Sequence, residues 1–147
     1  IERVSGKVDG VIAGSIASRF QLKAFKDACE RCGLKLFAPL WGMNPLTILR
    51  KMIDEGFDVI ITGVAAAGLG EKLLGAHLTP SLVEELKKIS DKFGINPAGE
   101  GGEFETFVLD APIFKQRIEV LEMEVDWRGD RGFLKIKRAK LAKRRKR

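Results

Sequence analysis

Three glutamates fall within the six residues from 100 to 105, in the segment AGEGGEFETFVLDAP at positions 98–112. Glu100, Glu103 and Glu105 repel one another unless solvent, a cation or a basic group shares their surroundings. Because alternate residues of a strand share a face, we expect Glu103 and Glu105 to point the same way, about 7 Å apart. Two carboxylates at that spacing can coordinate a cation or flank a reacting group. The alternative is a solvated edge strand that its charges protect from aggregation.

Two glycines beside these glutamates give the segment a flexible corner. Gly101 and Gly102 let the backbone turn immediately before the predicted strand. We therefore expect at least two of the three glutamates to line a cleft between two domains, close to the end of the strand that leads to Gly14.

A second candidate site lies between the segment VDGVIAGSI, at positions 8–16, and a predicted helix at 17–33. The first segment is apolar and β-branched, which is typical of a buried strand. The strand ends in Gly14 and Ser15, and Ser18 lies at the start of the predicted helix, so the N–H groups of the helix start are expected at the carboxyl edge of a sheet. Open α/β sheets bind ligands at that edge. An ordinary turn between a strand and a helix explains the same residues equally well.

Three other motifs favour structural roles. Cys29 and Cys32 fit the apolar stripe of the predicted helix, whereas a zinc site needs four ligands and the only histidine, His77, is remote in sequence. We therefore predict no metal site, and we interpret His77 as a loop or capping residue rather than a catalytic base. The glycine-rich segment at 63–75 lacks the Lys-Ser/Thr pair of a phosphate loop, and we interpret it as a tight turn.

The elements that must position these groups begin with a β-α-β unit. A strand at 8–16, a helix at 17–33 and a strand at 34–42 have short connections, which predicts a parallel pair with a right-handed crossover. The later elements are predicted as a helix at 44–56, a strand at 57–64, a helix at 79–94, a strand at 104–113 and a hairpin with arms at 116–127 and 132–141. The alternation of the first arm slips at Val120, which predicts a β-bulge. The predicted fold class is α/β, with a domain boundary near residues 42–44.

The charges are distributed unevenly along the chain. Of 26 basic and 20 acidic side chains, nine basic ones lie at 135–147, which leaves 17 basic and 20 acidic side chains before them. We therefore assign the basic character to a tail and not to the folded body, which argues against a nucleic-acid-binding face on the fold. Two cysteines, no charged-then-apolar leader and no long apolar run predict a soluble, cytoplasmic protein without membrane contact.

The sequence GEGGEFETFVLDAPIF, at positions 99–114, resembles the signature of the diphthine–ammonia ligases, members of the N-type ATP pyrophosphatase (PP-loop) group. GVIAGSIASRFQ is similar to the Gly-x-Ile-x-Ser-x-Tyr-Gln segment of that family, with Phe20 in place of the tyrosine. FAPLWG and ITGVAAAGLGEKLLG also match in order and spacing. The resemblance covers nearly the whole chain up to about Ile118.

The resemblance implies the remainder of a Rossmann-like (HUP-type) parallel sheet at 1–43, followed by a smaller α+β substrate domain at 44–147 that ends in an antiparallel hairpin. The implied reaction is the ATP-dependent amidation of diphthine, a modified histidine of translation elongation factor two. ATP, with Mg²⁺, activates the diphthine carboxylate as an acyl adenylate and releases pyrophosphate, and ammonia then displaces AMP. The implied partners are the diphthine-bearing elongation factor and ammonium.

The resemblance, together with the residue types, also assigns roles within this sequence. These roles are catalysis by Glu100, Glu103 and Glu105, substrate binding by Gly101, Gly102, Thr106 and Trp41, and nucleotide binding by Gly14, Ser15, Ser18 and Gln21. Diphthine carries a quaternary ammonium group beside its carboxylate, which suits a carboxylate cluster near Phe104, Phe107 and Trp41 through charge and cation–π attraction. Ammonium and Mg²⁺ are the alternative ligands of the same glutamates.

The pyrophosphate loop of the family, Ser-Gly-Gly-Lys-Asp-Ser, does not occur in this sequence. The match places Ile1 inside the first domain, so we expect that this chain alone does not form the adenylate. One alternative function is a non-catalytic nucleotide-binding or scaffold protein. Another is an RNA- or ribosome-associated module that makes weak contacts through the tail at 135–147. Otherwise the tail is expected to be a frayed terminus that aids solubility.

Overall fold

The computed structural model describes residues 1–144. It contains a two-stranded parallel sheet, a four-stranded antiparallel sheet and three α-helices, which confirms the predicted α/β class. The chain divides into two compact units, Ile1–Asn44 and Pro45–Arg147. The nucleotide and substrate roles assigned to the two domains stay predictions. Across residues 1–144, no helix combines the length and the apolar character that a membrane crossing requires.

The first unit has the predicted β-α-β arrangement. Its elements are a short 3-10 helix (Glu2–Lys7), strand β1 (Gly10–Ile12), helix α1 (Arg19–Arg31) and strand β2 (Lys35–Phe37), which is parallel to β1. Helix α1 begins after Ser18, whose Oγ accepts a hydrogen bond from the backbone N–H of Gln21 at 3.4 Å. It ends before Gly33, whose φ of +66° is the left-handed conformation that stops helices.

The prediction of a buried strand at 8–16 is wrong in length and in burial. β1 covers three residues, and its Ile12 is 76% exposed beside Phe37, which is 62% exposed. The alternate residues Val11 and Leu36 are partly buried. Side chains of a strand alternate between two faces, and the single helix α1 can cover only one of them. The face with Ile12 and Phe37 is therefore open within residues 1–144.

The second unit surrounds the four-stranded sheet. Its elements are helix α2 (Pro45–Asp54), strand β3 (Asp58–Val64), a short 3-10 helix (Glu71–Leu73), helix α3 (Pro80–Phe93) and strands β4 (Phe104–Asp110), β5 (Arg117–Trp127) and β6 (Gly132–Ala142). The strand order is β4-β3-β6-β5, and all the pairs are antiparallel. The start of α3 follows its sequence signal, because Thr79 Oγ1 accepts the N–H of Leu82 at 3.2 Å and Pro80 occupies the first turn.

Apolar side chains from both helices and the sheet form the main core of this unit. The buried members are Leu49, Ile61, Val64, Leu69, Leu73, Leu82, Val83, Leu86 and Phe104. Each such side chain contributes roughly 1.5–3 kcal/mol relative to an exposed position. Because Phe104 belongs to this core, its side chain points inward, and this determines which residues of β4 point away from the core.

β3 lies in the middle of the sheet and has two partners on one side. It pairs with β6 only at Gly63 and Val64. Beside its first half lies the segment that contains His77, where the N–H of Leu78 donates to the carbonyl oxygen of Val59 at 2.8 Å. His77 is therefore held next to β3 by backbone pairing with Ile60.

β5 and β6 form the predicted hairpin, and the predicted bulge is confirmed. The register of the pair shifts between Val120 and Glu122, so that Leu121 is the extra residue. A second shift follows between Glu122 and Met123. One extra residue in a strand reverses the face to which all the following side chains point. The bulge therefore places the apolar residues of β5 before and after Leu121 on the same face of the sheet.

The assignment of residues 135–147 to a tail outside the folded body is wrong for residues 135–142, which belong to β6. The register places the basic side chains of β6 beside acidic side chains of β5. The resulting ion pairs are Lys135–Asp126, Lys137–Glu124, Arg138–Glu122 and Lys140–Glu119, with N···O distances of 2.8, 2.6, 3.8 and 3.4 Å. A count of charges could not detect this match, because it depends on the pairing of two strands. The last tail positions, 145–147, lie outside the described residues.

Candidate functional site

Glu103 fastens the loop that precedes β4. Its Oε1 accepts the backbone N–H of Asn96 and its Oε2 accepts the backbone N–H of Gly101, both at 2.8 Å. The carbonyl oxygen of Glu103 also accepts the N–H of Ala65, beyond the end of β3, at 2.8 Å. Both carboxylate oxygens therefore hold the loop in shape, and the loop is attached to the sheet at the same residue.

The loop requires glycine at several positions, for different structural reasons. Gly99 and Gly102 have φ values of +73° and +84°, which only glycine adopts without strain. Gly101 has no positive φ, but a Cβ there would lie 2.8 Å from Glu103 Oε1 and would displace the carboxylate. The predicted corner at Gly101 and Gly102 is thus a tight turn, and the partly buried Glu100 lies within it.

Glu105 is arranged quite differently from Glu103. It lies on β4 and is exposed to solvent. The strands β3 to β6 carry seven acidic residues. Five of them form ion pairs with Lys or Arg, namely Asp110, Glu119, Glu122, Glu124 and Asp126, and Oδ1 of a sixth, Asp58, lies 2.6 Å from Nδ1 of His77. Within residues 1–144, no ion pair or hydrogen bond occupies the seventh carboxylate, that of Glu105. Its charge is therefore available to a ligand.

The aromatic ring of Phe133 lies near Glu105 because Gly63, which stands between them on β3, has no side chain. A Cβ built on Gly63 would lie 3.2 Å from the Cβ of Glu105 and 3.2 Å from Cδ1 of Phe133. These two atoms are therefore at most twice that distance apart. The Phe133 side chain is 48% exposed and belongs to β6, which pairs with β3 at this point. The stem of the Glu105 side chain and the accessible ring of Phe133 thus lie close together on one face of the sheet.

Phe133 and Gly63 were not predicted as site residues. The signal in the sequence is Gly63 itself, since a glycine inside a β-branched strand marks a place where another group approaches closely. The aromatic partners that we did expect have different positions. Phe104 is 6% exposed and belongs to the core, so its ring cannot contact a ligand. Phe107 and Trp41 are partly exposed, and Trp41 belongs to the first unit.

Thr106 is exposed on β4. The alternation predicted for this strand is confirmed at its start, where Phe104 is buried and Glu105 is exposed. It does not continue through the strand, where Thr106 and Phe107 are both exposed and Leu109 is buried.

The residues assigned to the nucleotide surround the start of α1. Gly14 has open space where a side chain would be, whereas Ser15 is buried. The carbonyl oxygen of Ile16 accepts the N–H of Gly42 at 2.8 Å, which ties the segment before α1 to the turn after β2. The backbone N–H of Gln21 donates to Oγ of Ser18, so the main chain of Gln21 helps to fix the start of α1. Nucleotide contact by these four residues stays a prediction.

His77 and the cysteines have structural surroundings. Nδ1 of His77 lies 2.6 Å from Oδ1 of Asp58, the first residue of β3. Cys29 is buried and Cys32 is partly buried in the first unit. In the part of the chain that the structure describes, no three His, Cys, Asp or Glu side chains are close enough together to hold a metal ion.

Comparison with known proteins identifies relatives of this chain. Residues 44–142 match the family model of the diphthamide synthase C-terminal domain. The diphthine–ammonia ligase of Schizosaccharomyces pombe is 38% identical over 132 residues, which is 88% of this chain and 22% of that protein. The protein of the same name from Danio rerio is 38% identical over 132 residues, 88% of this chain and 51% of the relative. The one from Homo sapiens is 41% identical over 123 residues, 81% of this chain and 45% of the relative.

This chain thus spans about half of the length of the animal relatives and about a fifth of the yeast one. The family match begins at Asn44 and includes the loop fastened by Glu103, strand β4 and almost all of the β5–β6 hairpin. The match covers well over half of the chain, so the chain belongs to the diphthamide synthase family.

Proposed function

We propose that this chain is the C-terminal portion of an enzyme that amidates diphthine with ammonia and consumes ATP. The observation that supports the proposal is the match of residues 44–142 to the diphthamide synthase C-terminal domain, together with relatives named diphthine–ammonia ligase. The protein that carries the diphthine is translation elongation factor two, and the reaction takes place in the cytoplasm. In this reaction ATP, as a co-substrate, would transfer its adenylyl group to the diphthine carboxylate with release of pyrophosphate, and ammonia would then displace AMP to give the amide with loss of a proton.

The glutamates have two roles in this proposal. Glu103 shapes the loop, because both of its carboxylate oxygens already accept backbone N–H groups. Glu105 contacts the substrate, because its exposed carboxylate is not neutralised by a described neighbour. Glu100, Gly101, Gly102 and Thr106 form the rest of the substrate surface within the second unit. The substrate contact assigned to Trp41, a residue of the first unit, stays a prediction.

The nucleotide is proposed to bind at the start of α1. A helix start presents backbone N–H groups and a partial positive charge, which attract phosphate. Gly14 leaves room for a ligand to approach the backbone, and the Oγ of Ser18 keeps the first turn in place. Mg²⁺ typically binds through one or two carboxylates together with substrate phosphates and water, so it requires no three-residue cluster. The start of α1 offers backbone N–H groups for the single phosphate of an adenylate. The loop motif that would bind a triphosphate does not occur in this sequence.

An RNA-binding function is less well supported. Six basic side chains lie at 135–144, and five of them form ion pairs with acidic side chains of the same unit: Lys135, Lys137, Arg138, Lys140 and Arg144. RNA phosphates would have to compete with these carboxylates for the same charges. The ion pairs therefore favour the ligase over the RNA-associated alternative.

The proposal is tested with the complete gene product that contains this chain. We expect pyrophosphate release from ATP that requires both ammonium and the diphthine-bearing elongation factor, together with conversion of the carboxylate to an amide by mass spectrometry. An elongation factor without diphthine is the matched control and should release no pyrophosphate. Nucleotide binding without any release would instead favour the non-catalytic alternative.

A further inference from the structure

We propose that Glu105 and Phe133, which lie on either side of Gly63, form a binding site for an alkylated ammonium cation. The site is confined to the second unit and uses three adjacent strands: β4, β3 and β6. The inference rests on the proposed function only for the molecule that carries the cation, which is the trimethylammonium group of diphthine. The chemistry of the site follows from the three residues themselves.

The charge of Glu105 is the first observation. The other acidic side chains on these strands each have a basic or histidine partner. Among the strand residues within 1–144, only the carboxylate of Glu105 has no such partner. A solvated edge residue would explain its exposure, but it would not explain the neighbouring ring. Covering an exposed aromatic side chain with another group is favourable, because it removes apolar surface from water.

The glycine at position 63 is the second observation. β3 is otherwise made of Val, Ile and Thr after its first residue, and these residue types suit a strand better than glycine does. A side chain at Gly63 would come within 3.2–3.3 Å of both neighbours, closer than ordinary van der Waals contact. Glycine therefore lets the stem of Glu105 approach the ring of Phe133. A cation above this pair can contact both, since cation–π attraction acts within about 6 Å of a ring centroid.

The site suits an alkylated ammonium better than a metal ion or plain ammonium. Mg²⁺ binds oxygen ligands and usually keeps several of its waters, so the ring of Phe133 would contribute nothing to its binding. Plain ammonium keeps a tight hydration shell and offers no apolar surface to a ring. Methyl groups on the nitrogen contact the ring directly while the positive charge remains attracted to the carboxylate, as in aromatic cages for choline and methyl-lysine.

The test is a titration of this chain with tetramethylammonium chloride, followed by amide and aromatic NMR signals at constant chloride concentration. We expect saturable shifts at Gly63, Glu105 and Phe133. Glu105→Gln and Phe133→Leu should each weaken the apparent affinity by about two- to fivefold, which is the range of one exposed cation–π or ion-pair contact. Glu124→Gln, a matched change on the same sheet, should leave the affinity unchanged.

Three results would overturn the site. They are the absence of saturable shifts, equal shifts with ammonium chloride or sodium chloride, and wild-type affinity in both Glu105→Gln and Phe133→Leu. Glu105→Gln keeps the size of a solvent-exposed side chain, so a loss of binding in this variant does not reflect unfolding. The two proposals can fail separately. Tetramethylammonium binding in a gene product without ligase activity would uphold the site and refute the ligase. Ligase activity without tetramethylammonium binding would uphold the ligase and refute the site.

Discussion

Glu103 Oε1 accepts the backbone N–H of Asn96, seven residues earlier in the chain, at a distance of 2.8 Å. The other oxygen of the same carboxylate accepts the N–H of Gly101. Glu103 and Glu105 are two residues apart, yet within residues 1–144 the carboxylate of Glu105 has no hydrogen bond or ion pair, whereas both oxygens of Glu103 accept backbone N–H groups. The segment of three glutamates therefore combines a structural residue with a candidate binding residue.

Glu103→Gln should destabilise the second unit by about 1–2 kcal/mol, because the amide replaces one acceptor oxygen by an NH₂ group that faces a backbone N–H. Hydrogen exchange at Asn96 and Gly101 should become faster. Glu105→Gln is the control, since its side chain makes no such bond, and denaturant unfolding compares the two. Equal stability of the two variants would contradict the structural role of Glu103.

Gly102→Ala should destabilise the loop by about 1–2 kcal/mol, because alanine is strained at a φ of +84°. No atom lies within 4 Å of the added Cβ, so the cost comes from the backbone alone. Gly70→Ala is the matched control, since it also has open space and its φ is −117°. Similar unfolding midpoints for the two variants would be inconsistent with a left-handed turn at Gly102.

The β5–β6 hairpin should lose stability in acid. Arg128, followed by Lys135, holds the pKa of Asp126 well below its ordinary value of 3.8, and Lys137 lowers the pKa of Glu124 from 4.5. A lowered folded-state pKa means that the unfolded chain binds protons first, so this stabilisation is present above the ordinary values and is lost as the pH falls below them. Because Glu124 and the basic partners are exposed and Asp126 is only partly buried, the effect should be small and should shrink in high salt.

The measurement is the thermal midpoint as a function of pH, for the wild type and for the double variant Asp126→Asn, Glu124→Gln. The double variant should show a flatter decline below about pH 4.5, the upper of the two ordinary values. Asp130→Asn is a control, because Asp130 is an exposed acid of the hairpin turn outside this set of cross-strand pairs. A wild-type decline in the double variant would show that these ion pairs do not contribute.

Local signals predicted much of the fold. Thr79 and Pro80 mark the start of α3 from adjacent positions, and the break in alternation at Val120 marks the bulge. Both signals involve residues within a few positions of one another, so the sequence contains them directly. The same holds for the β-α-β unit, whose short connections restrict the topology.

Long-range relationships could not be predicted in the same way. Glu105 and Phe133 are far apart in sequence and become neighbours only because β4 and β6 both pair with β3 at Gly63. The pairing of basic β6 with acidic β5 likewise depends on register. The charges of residues 135–141 were therefore assigned to a tail, even though the alternation had predicted a hairpin arm there. The two bonds of Glu103 depend on the exact path of a glycine-rich loop, for which the sequence has no periodic pattern.

The central claim is that Glu105 contacts the diphthine substrate of an amidating enzyme. The most direct test is the rate of ATP-dependent amidation of the diphthine-bearing elongation factor by the complete gene product, with Glu105→Gln compared with the wild type and with Glu124→Gln. We expect the rate to fall at least about tenfold in Glu105→Gln, equivalent to roughly 1.4 kcal/mol of transition-state stabilisation, with unchanged folding stability and an unaffected control. A wild-type amidation rate in Glu105→Gln would contradict the claim.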